Sequence, residues 1–233
     1  QAAAQELETR WHATGVYITL NQVSFDVRGR AANRLKKAQR GESTKDNEIV
    51  KRIWMLVDSD PKRPAGVSAT KAERDAAQET ARQCGRWLAE SGFPRPVIGM
   101  SGNGWHLLYR IDLPADDGGL VERCLQALDQ RFSTSAVSID KSVFNPARIT
   151  KLYGTLTRKG DDTPERPHLR SQLIEVPEDI EIVPLERLEW LASQYVAPVR
   201  QSPGRRNGTN HNNASVDVER YLTRHNVQIL DRD

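Results

Sequence analysis

The sequence predicts an α/β protein of the α+β kind, in which a sheet packs against helices. Short apolar runs that end in aspartate are typical of buried strands that stop at the edge of a sheet. Two stretches carry apolar residues at spacings of four, three and four, which indicates amphipathic helices. An Asn-Gly dipeptide between two apolar runs indicates a hairpin. With 233 residues, the chain is long enough to bury such a sheet and form a cleft.

The strands are predicted from runs of alternating or continuous apolar residues. These runs cover residues 15–20, 53–57, 97–100, 105–111, 136–139 and 152–156. The run IWMLV at 53–57 is continuously apolar, as in a buried strand. The segment SGNG at 101–104 holds the Asn-Gly dipeptide, so the strands on either side of it should form a hairpin.

Helices are predicted from capping signals and apolar stripes. Thr70 and Glu73 form a capping box, which opens a helix that ends near Ser91. A second helix should cover residues 120–132. A third should begin at Pro184 and end near residue 195, because proline is favoured at the start of a helix.

Composition limits the class of protein. The net charge of +3 favours no partner by itself. Cys84 and Cys124 each fall within a predicted helix, so we expect core thiols and no structural zinc or disulfide. No segment is apolar enough to span a bilayer, and the N-terminus lacks a basic-then-apolar signal layout. We therefore expect a cytoplasmic protein without a membrane partner.

The composition also changes along the chain. Residues 1–196 are predicted to form the folded domain. Residues 197–214 contain Pro, Gly, Asn and Arg without periodicity, which predicts a flexible linker. Residues 215–233 are predicted to form a short helical tail, which either docks on the domain or begins a further domain that has been removed.

Three aspartates are candidate metal ligands. Asp58 and Asp60 lie two apart at the end of the 53–57 strand, so both side chains should project from one face. Mg²⁺ and Mn²⁺ prefer such carboxylates, and phosphoryl transfer uses these ions. Asp140 also ends a short apolar strand and would complete a two-metal cluster if it met the first two. The alternatives are that the pair forms an ordinary turn before Pro61 and that Asp140 is a cap.

His106 follows the Asn-Gly turn and should face away from the apolar stripe of its strand. An imidazole there can donate to a triphosphate oxygen. Gly102 and Gly104 would let backbone amides approach a phosphate closely. The alternative is a partly exposed histidine beside an ordinary hairpin.

Two groups of basic residues are candidate contacts for nucleic acid. Arg148 and Lys151 precede the predicted 152–156 strand, and Lys159 follows it. Such cations suit a triphosphate or a template backbone, although charge clusters also form ordinary solvated faces. Residues 27–40 are rich in basic residues and contain no acid, which predicts template contacts from Arg28, Arg30, Arg34, Lys36 and Lys37. The aromatic residues between these groups are expected to pack in the core: Trp54, Trp105 and Tyr153.

Taken in order, these segments resemble the archaeo-eukaryotic primase superfamily, and within it the prim-pol catalytic domains of phage, plasmid and CRISPR-associated replication proteins. The first motif of that family is an acidic pair at a strand end, matched by VDSDP at Asp58 and Asp60. The second is a small-residue turn that closes in histidine, matched by SGNGWH, which ends at His106. The third is a hydrophobic residue plus aspartate, matched by Ile139 and Asp140. The basic residues of ARITKLYGTLTRKGD correspond to those that line the nucleotide pocket of the family.

The resemblance implies a two-module primase-polymerase fold, with helices flanking a mixed sheet like that of an RNA-recognition motif. It implies that Asp58, Asp60 and Asp140 hold two Mg²⁺ or Mn²⁺ ions and act as catalytic residues with His106. Some relatives carry a zinc module, which the two cysteines here cannot supply. The residues implied to bind the nucleotide are Ser101, Gly102, Asn103, Gly104, His106, Arg148, Lys151 and Lys159.

The implied activity is that of a DNA-directed nucleotidyltransferase. It would start and extend primers on single-stranded DNA from NTPs and dNTPs, with a helicase domain or replication protein as a partner. Two other classes stay open. One is a replication initiator or metal-dependent nuclease, whose covalent version needs a hydroxyl nucleophile such as Tyr153 near His106. The other is a catalytically inactive DNA-binding module of a larger replication protein.

Overall fold

The structure is a computed structural model that describes residues 2–32 and 41–197. The described residues up to Val196 belong to one compact unit, Gln1–Val196. The tail predicted at 215–233, and all but the first residue of the linker predicted at 197–214, lie outside the described residues. Three members of the predicted template-binding set also lie outside them: Arg34, Lys36 and Lys37.

The described residues form four α-helices and ten strands. The helices are α1 (Ala2–Thr9), α2 (Lys71–Glu90), α3 (Leu120–Phe132) and α4 (Leu185–Ser193). The strands are β1 (Tyr17–Thr19), β2 (Gln22–Val23), β3 (Ile49–Pro61), β4 (Val97–Met100), β5 (Trp105–Pro114), β6 (Val137–Ile139), β7 (Ile149–Lys151), β8 (Leu156–Thr157), β9 (Leu169–Arg170) and β10 (Gln172–Glu175). Short 3-10 helices occupy Phe25–Arg30, Asp46–Glu48 and Lys141–Phe144.

A six-stranded sheet forms the centre of this unit, with the order β10-β4-β5-β3-β2 and with β6 paired to the end of β3. Its core runs β3-α2-β4-β5-α3-β6 along the chain and β6-β3-β5-β4 across the sheet, which is the split β-α-β arrangement. Every strand pair in the described residues is antiparallel. The expectation of a mixed sheet is therefore wrong, because the parallel pairing in this part of the chain is an isolated bridge between Arg110 and Ile182.

Strand β3 is the element that places the acids. It is longer than predicted, because its backbone goes on pairing with β5 as far as Ser59 and with β6 as far as Pro61. Asp58 and Asp60 therefore lie inside the strand and not after it. Ser59 points towards α2, where its hydroxyl donates to the carbonyl of Ala77 at 2.9 Å. Alternation then puts both aspartates on the opposite face, as predicted.

The predicted helices α2 and α3 are confirmed, and they pack against the sheet. The Thr70 hydroxyl accepts from the Glu73 amide and the Glu73 carboxylate accepts from the Thr70 amide, which completes the capping box. Cys84 and Cys124 are buried and unpaired, and burial raises the pKa of each thiol to about 12. They are core thiols, as expected. Among the described residues, no helix is long and apolar enough to cross a membrane.

One local prediction is wrong for reasons of backbone geometry. Residues 152–156 are not one strand, because a turn that contains Gly154, at φ +87°, separates β7 from β8. The predicted hairpin between β4 and β5 is confirmed, and its ladder ends at the pair Met100 and Trp105, on either side of the loop 101–104. The left-handed residue in that loop is Gly102, at φ +101°, and not the Asn-Gly dipeptide.

Candidate active site

A row of residues crosses the sheet on the face away from α2. The strand register places Gly99 of β4 beside His106 of β5, and His106 beside Asp58 of β3. Asp140 extends the row, because its amide donates to the carbonyl of Asp58 at 2.8 Å. Cross-strand neighbours on one face lie about 5 Å apart. The pairing thus brings together residues that are far apart in the sequence.

These side chains line a pocket of about 350 Å³. Its wall contains most of the predicted site residues: Asp58, Asp60, Ser101, Asn103, His106, Asp140, Arg148, Lys151 and Lys159. Gly102 and Gly104 do not line it. A larger groove of about 610 Å³ lies on the other face, between α2 and the sheet, but apolar side chains such as Trp105 and Leu107 line much of it. Polar chemistry, and not size, therefore identifies the candidate site.

The three carboxylates are close enough to affect each other. Burial, together with the negative charges of Asp60 and Asp140, raises the pKa of Asp58 to about 7. Lys159 and Arg63 oppose this shift without cancelling it. A cation in the pocket would relieve both the burial of the Asp58 charge and the repulsion. The charge and the oxygen donors of these residues are of the type that divalent ions prefer.

Two of the acids also have local partners. The alternative of a turn at Asp58 and Asp60 is wrong, because both lie inside β3, whereas the alternative of a cap at Asp140 is met. Asp140 accepts from the amide of Ser142 at 2.8 Å and so caps the 3-10 helix that follows it. Asp60 accepts from the guanidinium of Arg63 at 3.0 Å. As their side chains stand, no three acidic, imidazole or thiol groups in the described ranges are arranged to hold a metal ion. Metal binding by these aspartates therefore requires their free oxygens to turn towards the ion.

His106 is buried, with 5% of its surface exposed, so the alternative of a partly exposed histidine is wrong. Its Nδ1 lies 2.6 Å from the hydroxyl of Tyr153, and its Nε2 lies 3.5 Å from Oδ1 of Asp58. Burial lowers the pKa of His106 to about 4, so the imidazole is neutral near pH 7. When its single proton is on Nε2, the neutral imidazole can donate one hydrogen bond into the pocket.

Tyr153 was expected to pack in the core, and the structure gives it a polar contact as well. Its ring packs against the backbone of Gly99, where an added Cβ would lie 2.4 Å from a Tyr153 ring atom. A side chain at that position would displace the tyrosine. Glycine inside a strand is a signal for such a close approach, and at Gly99 the sequence carries it.

The basic side chains that line the pocket differ in their burial and in their hydrogen bonds. Lys151 is buried, its ammonium donates to the carbonyl of Leu156 at 2.7 Å, and burial lowers its pKa to about 8. Arg148 donates to the carbonyl of Ser142 at 2.6 Å, which ties it to the segment after Asp140. Lys159 is exposed at the rim. The pocket that holds the acids is therefore lined by positive charge as well.

The sequence interpretation missed two residues, one that lines the pocket and one that supports the neighbouring strands from outside it. Tyr17 of β1 is half-exposed, lines the pocket and has the ammonium of Lys151 at 5.5 Å from its ring centroid. Glu8 of α1 is buried, accepts from the amide of Leu156 and accepts from Arg170 at 3.0 Å. Neither stands in a motif, and their pairing with residues more than a hundred positions away leaves no local pattern.

The loop at 101–104 uses its backbone amides internally. The hydroxyl of Ser101 accepts from the amides of Asn103 and Gly104 at 3.4 and 3.0 Å, and the amide of Gly102 contacts the sulfur of Met100 at 2.9 Å. The Gly104 position approaches β3, where an added Cβ would lie 2.6 Å from the carbonyl oxygen of Ser59. The glycines thus serve close packing, and the predicted approach of these amides to a phosphate gains no support.

The predicted template residues that are described do not line this pocket. Arg28 lies over the exposed ring of Phe25, at 4.6 Å from its centroid. Arg30 forms an ion pair with Glu48, an acid from outside the basic stretch. Both arginines line a separate cavity instead.

Comparisons with known proteins leave the family open. No protein-family model and no curated protein matches the sequence. Among solved structures, the chain is similar to the AEP domain of the cyanophage S-2L primase-polymerase (PrimPol), with 19% sequence identity and a TM-score of 0.36. The match covers 65% of this chain and 64% of the cyanophage chain, so it spans less than two thirds of that protein. At this TM-score the likeness assigns neither family nor activity, and the site is interpreted from its own residues.

Proposed function

We propose that this chain is a nucleotidyltransferase of the primase-polymerase type, related to the archaeo-eukaryotic primases. The observation that carries the proposal is one pocket, which is lined by three acids, a histidine and three cations: Asp58, Asp60, Asp140, His106, Arg148, Lys151 and Lys159. The three motifs that suggested the family are separated in the sequence, and their key residues line the same cavity. Phosphoryl transfer needs such a combination of acids for metal ions and cations for phosphates.

The metal ligands in this proposal are Asp58, Asp60 and Asp140. Two Mg²⁺ or Mn²⁺ ions bound there would neutralise the charge of the triphosphate and align the attacking and leaving oxygens. The raised pKa of Asp58 supports this role, because a site that disfavours three carboxylate charges favours a compensating cation.

The other residues would bind the nucleotide. A 3′-hydroxyl attacks the α-phosphorus of a nucleoside triphosphate, and pyrophosphate leaves. Nε2 of His106 would donate to a triphosphate oxygen. Arg148, Lys151 and Lys159 would bind the remaining negative charge of the triphosphate. The attraction between Lys151 and a phosphate would be strengthened because Lys151 is buried. Ser101 and Asn103 lie in the wall beside them and are proposed to contact the nucleotide with their side chains.

A synthesis assay on unprimed DNA tests this function. The protein is incubated with circular single-stranded DNA and with labelled NTPs or dNTPs, in Mg²⁺, in Mn²⁺ and in EDTA. We expect products that depend on template, nucleotide and metal. The absence of product under every condition would contradict the proposal. Shortening of the template without nucleotide would identify a metal-dependent nuclease instead.

Tyr153 bears on the covalent nuclease alternative. Its hydroxyl does lie near His106, as that alternative requires. However, burial and the negative charge of Asp58 raise the pKa of this hydroxyl well above its usual range, which opposes formation of a nucleophilic phenolate. Tyr153 is also not among the residues that line the pocket. The raised pKa of Tyr153 and its position outside the pocket lining therefore favour nucleotidyl transfer over a tyrosine nucleophile.

The proposed partner is single-stranded DNA, with the basic stretch 27–40 as the template contact; a helicase domain or replication protein is the further proposed partner. Changing Arg34, Lys36 and Lys37 together to glutamate should weaken binding, because each lost phosphate contact removes a released counterion. The slope of log K against log salt should become shallower by about 2, at about 0.7 for each contact. Fluorescence titration of a labelled oligonucleotide at several salt concentrations measures this slope.

A charge-matched control distinguishes a local contact with the template from a general effect of the net charge of the protein. Lys71, Arg82 and Arg86 are exposed cations on α2, and changing them to glutamate alters the net charge equally. The control should keep the slope of the unaltered protein. If the slope became shallower by the same amount in both variants, the proposed template contact in the 27–40 stretch would be contradicted.

A further inference from the structure

The contact between Tyr153 and His106 has a fixed geometry. The hydroxyl oxygen lies 2.6 Å from Nδ1, and the two rings meet edge to face at 71° with centroids 5.8 Å apart. The missing side chain of Gly99 leaves the space in which the tyrosine ring lies. Tyr153 is held in this position by the packing of the sheet.

The electrostatics of the second nitrogen select one tautomer of His106. A neutral imidazole has one proton, on Nδ1 or on Nε2. With the proton on Nδ1, the lone pair of Nε2 would face Oδ1 of the ionised Asp58 carboxylate, only 3.5 Å away. With the proton on Nε2, an N–H faces the carboxylate, and the hydroxyl of Tyr153 donates to Nδ1. Both contacts are then favourable.

We infer that Tyr153 is a positioning residue, which holds His106 in the tautomer with its proton on Nε2 and its N–H directed into the pocket. The inference rests on the proposed function for its purpose, because the N–H is then presented to a triphosphate oxygen. An outer hydrogen bond that fixes the tautomer of a functional histidine is a general device. It makes Tyr153 part of the site although it does not line the pocket.

The chain provides a matched control for the hydroxyl of Tyr153. Tyr109 is buried, whereas Tyr153 is partly buried, and the hydroxyl of Tyr109 has no hydrogen-bond partner among the described residues. Changing either tyrosine to phenylalanine removes one hydroxyl from a ring that packs against the core. Only the change at position 153 removes a hydrogen bond to His106.

Nitrogen NMR of histidine-labelled protein reads the tautomer directly. The resonances of His106 are identified by their loss in His106→Gln. We expect a protonated Nε2 and an unprotonated Nδ1 in the unaltered protein and in Tyr109→Phe, and loss of this preference in Tyr153→Phe. A protonated Nδ1 in the unaltered protein overturns the inference, and this spectrum decides even if Tyr153→Phe does not fold.

Calorimetric titration with ATP and Mg²⁺ measures the consequence for binding. Loss of one hydrogen bond of ordinary strength should weaken the affinity of Tyr153→Phe by about fivefold to tenfold, with no change in Tyr109→Phe. A tautomer and an affinity that both stay unchanged in Tyr153→Phe overturn the inference. A changed tautomer with no ATP binding in any variant keeps the positioning role and overturns the proposed function instead.

Discussion

Asp58→Asn is expected to abolish nucleotidyl transfer and, without metal, to make the folded protein more stable. Activity should fall by at least about 10²–10³-fold, because the substitution removes a charge aimed at the reaction. The free energy of unfolding at pH 8 should rise by about 2–4 kcal/mol, since the pKa of Asp58 is raised from 3.8 to about 7 and its ionisation therefore opposes folding. Primer synthesis and urea unfolding in EDTA measure the two effects.

The sign of the pH dependence follows from the raised pKa of Asp58. Between pH 3.8 and about 7 the folded state binds this proton and the unfolded state does not. The contribution of Asp58 to the free energy of unfolding therefore decreases as pH rises through this range and is constant above it. The difference between Asp58→Asn and the unaltered protein should be small at pH 4 and largest at pH 8.

Asp112→Asn is the matched control for these measurements. Asp112 is a half-exposed aspartate of β5 that pairs with Lys51 and lies far along the strand from the pocket. Its substitution should leave synthesis unchanged and alter stability little at either pH. If Asp58→Asn behaved like this control, the convergence of the three acids would be wrong.

Arg52→Met is expected to lower the free energy of unfolding by about 3–5 kcal/mol, because it breaks a buried charge network. Arg52 is 6% exposed. Its guanidinium donates to the carbonyls of Ala115 and Phe144 at 3.0 and 2.6 Å and lies 3.4 Å from the carboxylate of Asp117. Removing it leaves buried oxygens without a donor. Urea unfolding at pH 7 measures the change.

The neighbouring residue supplies the control for that substitution. Lys51 forms an ion pair with Asp112 at 2.5 Å, but both side chains are almost half exposed. Lys51→Met should therefore change the free energy of unfolding by no more than about 0.5 kcal/mol. Equal effects at positions 51 and 52 would mean that burial does not set the strength of the Arg52 network.

The parts of the fold that the sequence predicted are those with local signals. The capping box at Thr70 and Glu73 and the apolar stripe of α2 gave the helix its bounds, because both act within a few residues. The strand at 152–156 was wrong, because apolar residues continue through the turn and only Gly154 marks it. The antiparallel order of the sheet was not predictable from these patterns, since strand pairing is decided by contacts between distant segments.

The same distinction applies to the candidate site. Alternation along one strand was enough to place Asp58 and Asp60 on one face. The approach of Asp140 came from the family resemblance alone, because it depends on the pairing of β6 with β3. Tyr153 was placed in the core because its hydrogen bond to His106 has no local pattern. Residues joined by a register thus need either a structure or a known family to be found.

The two sides of the pocket stand on strands that differ in length and in backbone pairing. This difference affects how a ligand enters and leaves. The acids stand on the long, central strand β3 and beside it, whereas Tyr17 and Lys151 stand on the two short strands β1 and β7, which pair with each other. Segments with few backbone pairings open at lower free energy than the centre of a sheet. In the proposed reaction, brief openings of the side that carries Lys151 would release pyrophosphate while the spacing of the carboxylates persists. Amide hydrogen exchange should be faster at β1 and β7 than at β3.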